Sequence, residues 1–289
     1  RATGKAMLAQ LKTVIPEFVQ RVERPDRGGQ WIDFLKKRRR FERTLAACTP
    51  TAPPEAPEGA AAEVKLVESD PDGEARVLAG LAHEATDEPF ETLVQHAKAL
   101  PAEIRESILA RCAADRSNRR HKPGRGLEQA RYTFEVTGDY GAFRDLQRHR
   151  MLTIEWQKLS TAHGLTEPPE IQEMGADQEW NQAMNAAQEA YEYVQLSAGP
   201  TVAQYCVPMA FHIQFLLTLN ARELMHMIEL RTQPQGHPSY RRVCQAMHRL
   251  IADNAGHRGI AKLISFANHD DVDLERLEAE KRAHARAGA

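Results

Sequence analysis

Only four of the 289 residues are cysteine (Cys48, Cys112, Cys206 and Cys244), and no two of them form a CxxC pair. Cysteines this sparse and this widely spaced exclude a disulfide framework and a thiolate zinc site, and they suit a reducing cytoplasm. No run of 18 apolar residues occurs, so no membrane-spanning helix is expected. A surplus of either charge is missing as well: 38 Lys and Arg stand against 40 Asp and Glu, a formal net charge of −2. That balance gives no general attraction to nucleic acid or to an anionic membrane, so any anion site has to be a local cluster. The signatures GxGxxG, GxxxxGK(S/T), HExxH and GxSxG are all absent, and with them the sequence evidence for the phosphate loops, zinc proteases and serine hydrolases they mark. His83, His96 and His163 have no metal-ligand spacing and read as surface or core residues, and no metal is expected.

What is present is an ordinary globular composition, 42% hydrophobic, long enough for one large domain or two smaller ones. The chain opens at Arg1 without Met, with helical spacing already running, which reads as a fragment of a longer protein. Residues 1–47 form a helical segment interrupted at Pro16. Its Lys36–Arg40 run is read as a solvated helix face rather than a nucleic-acid patch. Residues 48–62 are a Pro/Ala-rich linker, and residues 63–268 form the main domain. Residues 269–289 are a charged tail that frays as a helix. A weak internal repeat links the opening GKAMLAQLKTVIPEFVQRV to the late SYRRVCQAMHRLI, so residues 1–45 could be the tail of an earlier copy of the same domain.

Within the main domain, strands are expected near 64–69, 131–136 (ended by Gly138) and 210–219. Helices are expected over 74–85, 89–99, 101–115, 175–196, 221–230, 240–252 and 258–268. Strands separated by long helical stretches indicate an α+β fold. Trp31, Trp156 and Trp180 are expected to pack in the interior.

Three places carry possible chemistry. Arg148-His149-Arg150 follows a strand–turn–helix passage, with Gln147 and Arg144 beside it. Packed guanidinium groups suit a phosphate or pyrophosphate, but the same trio fits a surface basic cluster. Asn220 ends an apolar strand and caps the following helix, on which Arg222 and His226 share a face and Arg231 lies further along. That helix reads either as the wall of a ligand site or as an amphipathic helix with surface pairs among Arg222, Glu223 and Glu229. The basic loop 116–129, with Glu128 near its end, either holds phosphates or is solvated.

Taken together, YTFEVTGDYGAFRDLQRHRM (132–151) and TLNARELMHMIELR (218–231) resemble the two most distinctive blocks of the flavin-dependent thymidylate synthases. Glu128-Gln-Ala-Arg-Tyr-Thr133-Phe134 is similar to the phrase that precedes RHR in that family. The resemblance covers residues 63–268 and implies a small antiparallel-containing sheet with long helices. It implies FAD held by Arg148, His149, Arg150, Asn220, Arg222 and His226. It also implies dUMP held by Gln147, Lys158 and Arg231, with Arg231 the catalytic cation that assists ionisation of the pyrimidine. NADPH and methylenetetrahydrofolate would be co-substrates, no cysteine nucleophile would be needed, and a homo-oligomer or a pairing of repeats within one chain would complete the sites.

The sequence departs from the family pattern on the nucleotide side. The stretch after RHR reads Thr153-Ile-Glu155-Trp156-Gln-Lys158-Leu-Ser160, Gln204 stands where the family has a phosphate-binding Arg, and the segment after Arg231 reads QGHPSYR. Two further readings therefore stay open: a catalytically degenerate repeat that binds FAD or completes sites elsewhere in a larger protein, and an unrelated helical interaction module.

Overall fold

A computed structural model describes residues 2–49, 62–270 and 276–287. The chain divides into two units, Arg1–Pro53 and Pro54–Ala289. Most of the linker, residues 50–61, lies outside the described residues. The first unit holds α1 (Ala2–Val14), α2 (Pro16–Val19) and α3 (Gln30–Ala47). Pro16 separates the first two by removing an amide donor. Among its described residues only Val19 is buried. Trp31, expected inside, is 59% exposed and stacks on Phe34 at 5.4 Å. The Lys36–Arg40 run lies on the exposed face of α3, where Lys36 pairs with Asp33 and Arg38 with Glu42.

The second unit runs β1 (Glu63–Ser69), α4 (Gly73–Ala82), α5 (Phe90–Ala99), α6 (Ala102–Ala114), β2 (Arg131–Asp139), α7 (Tyr140–Leu146), β3 (Leu152–Trp156), α8 (Pro169–Glu173), α9 (Asp177–Ala198), α10 (Pro200–Ala203), β4 (His212–Asn220), α11 (Ala221–Arg231), α12 (Pro238–Asp253), α13 (Arg258–Leu263) and α14 (Arg276–Ala287). It is an α+β fold around one antiparallel sheet of order β1-β2-β4-β3. Strand alternation puts Tyr132, Phe134, Val136, Ile213, Phe215, Leu217 and Leu219 on one face. There they form a core with Leu224, Met227 and Ile228 of α11 and Val243, Met247 and Ile251 of α12. Each such side chain contributes roughly 1.5–3 kcal/mol on burial.

Four sequence expectations are corrected. β2 does not stop at Gly138 but continues to Asp139, because the long β4 pairs with it residue for residue; ladder pairing outweighs the intrinsic weakness of a strand glycine. β3 was not anticipated: five residues with only Leu152 and Ile154 half-buried give a short edge strand little apolar signature. The helix expected over 258–268 ends at Leu263, since the Phe266 and Asn268 amides donate to Glu229 and Thr232 of the α11 segment instead of continuing the helix. Trp156 is 57% exposed, touching Phe143 only along one side.

The chain path decides where function can sit. Asp139 caps α7, its Oδ1 accepting the Ala142 amide at 2.7 Å, and α7 runs back beside the sheet. β3 then pairs Leu152 with Leu219. The residues between α7 and β3 therefore arrive at the end of the sheet where β4 gives way to α11.

Candidate functional site

Asn220 has extended backbone and its Oδ1 accepts the Glu223 amide at 2.9 Å, so it caps α11 as its position predicts. The cap turns the first helical residues toward the segment after α7. His149, 7% exposed, donates from Nδ1 to the Glu223 carboxylate at 2.7 Å. Its Nε2 accepts from Nε of Arg231 at 3.1 Å. A ring that donates from Nδ1 and accepts at Nε2 holds a single tautomer. Arg231 also donates to the Asp145 carbonyl at 2.8 Å and lies 5.3 Å over the Tyr240 ring. Three neighbours, His149, Asp145 and Tyr240, thus fix one guanidinium, which keeps 15% of its side-chain surface open.

His226 stands edge-on to His149, ring centroids 5.4 Å apart. Burial pushes its pKa below the ordinary histidine range, Lys122 adding to the push and Glu223 opposing it. Arg222 reaches Glu128 at 3.5 Å, while its Nε is buried and makes no hydrogen bond. Arg148 pairs with Asp145 at 3.3 Å and is mostly exposed; Arg150 is exposed beside it. Gln147 is half-buried at the end of α7.

Of the sequence candidates, Arg148, His149, Arg150, Asn220, Arg222, His226 and Arg231 gather at one end of the sheet, with Gln147 adjoining. Lys158 does not join them. It follows β3, whose Trp156 pairs with Phe215, so about 13 Å of strand at ~3.3 Å per residue and two further residues separate it from Leu152. Gln204 accepts the Leu159 amide at 3.1 Å, which ties it to that far end. Surface pairs among Arg222, Glu223 and Glu229 do not form. Glu223 and Glu229 are buried, bound to His149 and to Arg116.

Glu223, Asp145 and Tyr240 were missed by sequence reasoning. A glutamate three residues after a capping Asn carries a signal as a first-turn acid, but nothing local reveals its distant partner. Tyr240 and Asp145, both touching Arg231, line a cleft of about 560 Å³ with Arg144, Arg148, His237 and Arg276. Its three guanidinium groups stand against the carboxylates of Asp139 and Asp145 in the same lining.

His149, Glu223 and His226 place three ligand-type atoms within 4.8 Å of one another. Both His149 nitrogens are already engaged, and Arg231, Arg222 and Lys122 stand nearby. Such a charge set favours a bound anion over a cation. A buried guanidinium nitrogen without a partner, together with the open donors of Arg148 and Arg150, fits a phosphate-bearing cofactor. Burial pushes the Cys244 thiol up to about 12, so it is no nucleophile.

The family model for thymidylate synthase complementing protein matches residues 65–255. Among curated proteins, the chain is 36% identical over 283 residues to a UPF0159 protein of Chlamydia pneumoniae, covering 98% of this chain and 52% of that protein. It is 38% identical over 197 residues to a UPF0159 protein of Thermoplasma acidophilum, covering 68% of this chain and 39% of that one. The chain spans about half the length, or less, of these relatives. Among solved structures, the UMP/dUMP methylase PolB from Streptomyces cacaoi, bound with 5-Br UMP, superposes with a TM-score of 0.53 at 17% identity. That match covers 73% of this chain and 98% of PolB. At that identity the likeness shows the fold.

Proposed function

The chain belongs to the thymidylate synthase complementing protein family, and on that premise we propose that it acts as an FAD-dependent thymidylate synthase, the reductive methylation of dUMP to dTMP. Methylenetetrahydrofolate would supply the carbon and NADPH the electrons. The observation that carries this reading is the fixed guanidinium of Arg231, held by His149 and Asp145 beside an arginine-lined cleft.

Arg148, Arg150, Asn220, Arg222 and His226 hold the flavin dinucleotide through their cationic and polar groups, and Gln147 adjoins the nucleotide. When bound, the flavin supplies hydride. The chain's own contribution is electrostatic. Arg231, already oriented before substrate arrives, stabilises negative charge developing on the uracil ring without reorganising. Glu223 acts through His149 to keep that guanidinium aimed, and Tyr240 supports it from the other side. No protein thiol is required.

A second reading is supported by Lys158, Trp156 and Gln204, which stand at the far end of the sheet from Arg231, and by the length of the relatives. In it, another copy of the fold, in a homo-oligomer or elsewhere in a longer chain, completes the nucleotide site, and this copy binds FAD or supports its partner without turning over. The long α9 suits such a partner: Tyr191 is its only buried residue, and Tyr193 and Leu196 are 73% and 90% exposed.

The test is dUMP-dependent oxidation of the reduced, flavin-loaded chain in the presence of methylenetetrahydrofolate. Formation of dTMP that is lost in Arg231→Ala supports the enzyme. Flavin retention with no response to dUMP assigns this copy the supporting role.

A further inference from the structure

The loop 116–125 is not a loosely solvated connection. Arg116 donates two hydrogen bonds to Glu229 of α11, at 2.7 and 2.6 Å, and a third to the Leu263 carbonyl at 2.9 Å. Its Nε donates to the His121 carbonyl at 2.5 Å, which folds the loop back on itself. The His121 ring lies within hydrogen-bonding distance of Ser117 and Asn118. The other end is pinned where Gly126 meets α4: a Cβ on Gly126 would come within 2.3 Å of the Leu81 amide nitrogen. Anchored at both ends, the loop rides on the α11 face that carries Arg222 and His226.

Three cations on this loop have no ion pair among the described residues, Arg119, Arg120 and Lys122, and two of them face α11. Lys122 lies within electrostatic reach of Arg222 and Glu223, and Arg119 within reach of His226. Of the nearby carboxylates, Glu223 is bound to His149, Glu229 to Arg116, and Glu128 is shared between Arg125 at 3.0 Å and Arg222 at 3.5 Å. Arg222 keeps its buried, unbonded Nε. Cationic groups thus outnumber the carboxylates at this spot, on a loop already held by Arg116 and Gly126.

We infer that Lys122 and Arg119 form a second wall of an anion cradle with Arg222 and His226, and that this cradle takes the pyrophosphate of a dinucleotide. The inference deepens the flavin reading, because it assigns binding to a loop that reading leaves unused. Partial burial of its ammonium pushes the Lys122 pKa down, with Glu223 opposing and Arg222 reinforcing.

The test uses the whole chain and the variants Lys122→Gln and Arg119→Gln, with two probes: inorganic pyrophosphate, followed by thermal stabilisation, and FAD, followed by flavin fluorescence. Each variant is expected to weaken both ligands about tenfold, as loss of one charge-assisted contact does, and to flatten the salt dependence. A rise in melting temperature with pyrophosphate that vanishes in Lys122→Gln upholds the cradle even where FAD fails to bind, in which case only the flavin reading falls. Wild-type affinity for FAD in both variants overturns the cradle and leaves the flavin reading standing. Absence of any pyrophosphate effect on the parent chain also overturns it.

Discussion

His149 and Glu223 lie 74 positions apart, yet the imidazole Nδ1 and the carboxylate meet at 2.7 Å, both buried. This contact joins the two blocks of the chain that carry the candidate chemistry, and it holds the ring whose other nitrogen receives Arg231. Glu223→Gln should keep the shape but lose the charge-assisted bond, at a cost of roughly 1.5–3 kcal/mol. Glu223→Ala should cost more, since the His149 donor is then left without a partner. Denaturant melts of the two variants check the order. If the alanine form is no less stable than the glutamine form, the pair does not lock the two blocks.

Arg231→Lys retains a positive charge but cannot donate to His149 and Asp145 together or lie flat over Tyr240. A dUMP-linked signal should fall by at least tenfold, about 1.4 kcal/mol, while flavin affinity stays within twofold of the parent. Parallel titrations of flavin and dUMP separate the two effects. An equal loss of both would move Arg231 into the flavin site.

The ion pair of Arg116 and Glu229 exposes only 4% and 1% of its two side chains. Glu229→Gln leaves a buried guanidinium uncompensated and should lower stability by roughly 3–5 kcal/mol. Glu229→Gln combined with Arg116→Met should recover part of that loss. A double variant as unstable as the single one would show that Glu229 matters for some other reason, such as its bond to the Phe266 amide.

The pH dependence of stability has a definite sign. Burial depresses the folded-state pKa of His212, His248 and His257 below 6.5. Below 6.5 the unfolded chain therefore binds more protons than the folded one. These groups leave stability at its full value above about pH 6.5 and erode it as pH falls from there toward their folded values, by up to about 1.4 kcal/mol per pH unit and group. Melting temperatures between pH 7.5 and 5 should fall, and His212→Asn should make the fall shallower. An unchanged slope in that variant would contradict the assignment.

Much of this fold is legible in the sequence where periodicity is long. β4, α9, α11 and α12 emerge within a few residues of their expected bounds, and Asn220 is recognisable as a cap. β3 is not, because five residues at a sheet edge owe their conformation to pairing with β4 rather than to their own pattern. The site was half legible. Arg148–Arg150 and Arg222–Arg231 stand out as clusters of donors. Which of them are buried does not: His149 points inward while its two neighbours point to solvent, a split that depends on where Glu223 lies in three dimensions. The role of Arg116 was invisible for the same reason, since its partner is 113 residues away.

The central claim is that one end of the sheet holds a flavin dinucleotide with Arg231 set to meet a pyrimidine nucleotide. The most direct measurement is titration of FAD and then dUMP into this chain, followed by flavin fluorescence. The account predicts a saturable change with FAD and a second, dUMP-dependent change that disappears in Arg231→Ala. No change with FAD at any concentration up to the millimolar range would contradict it.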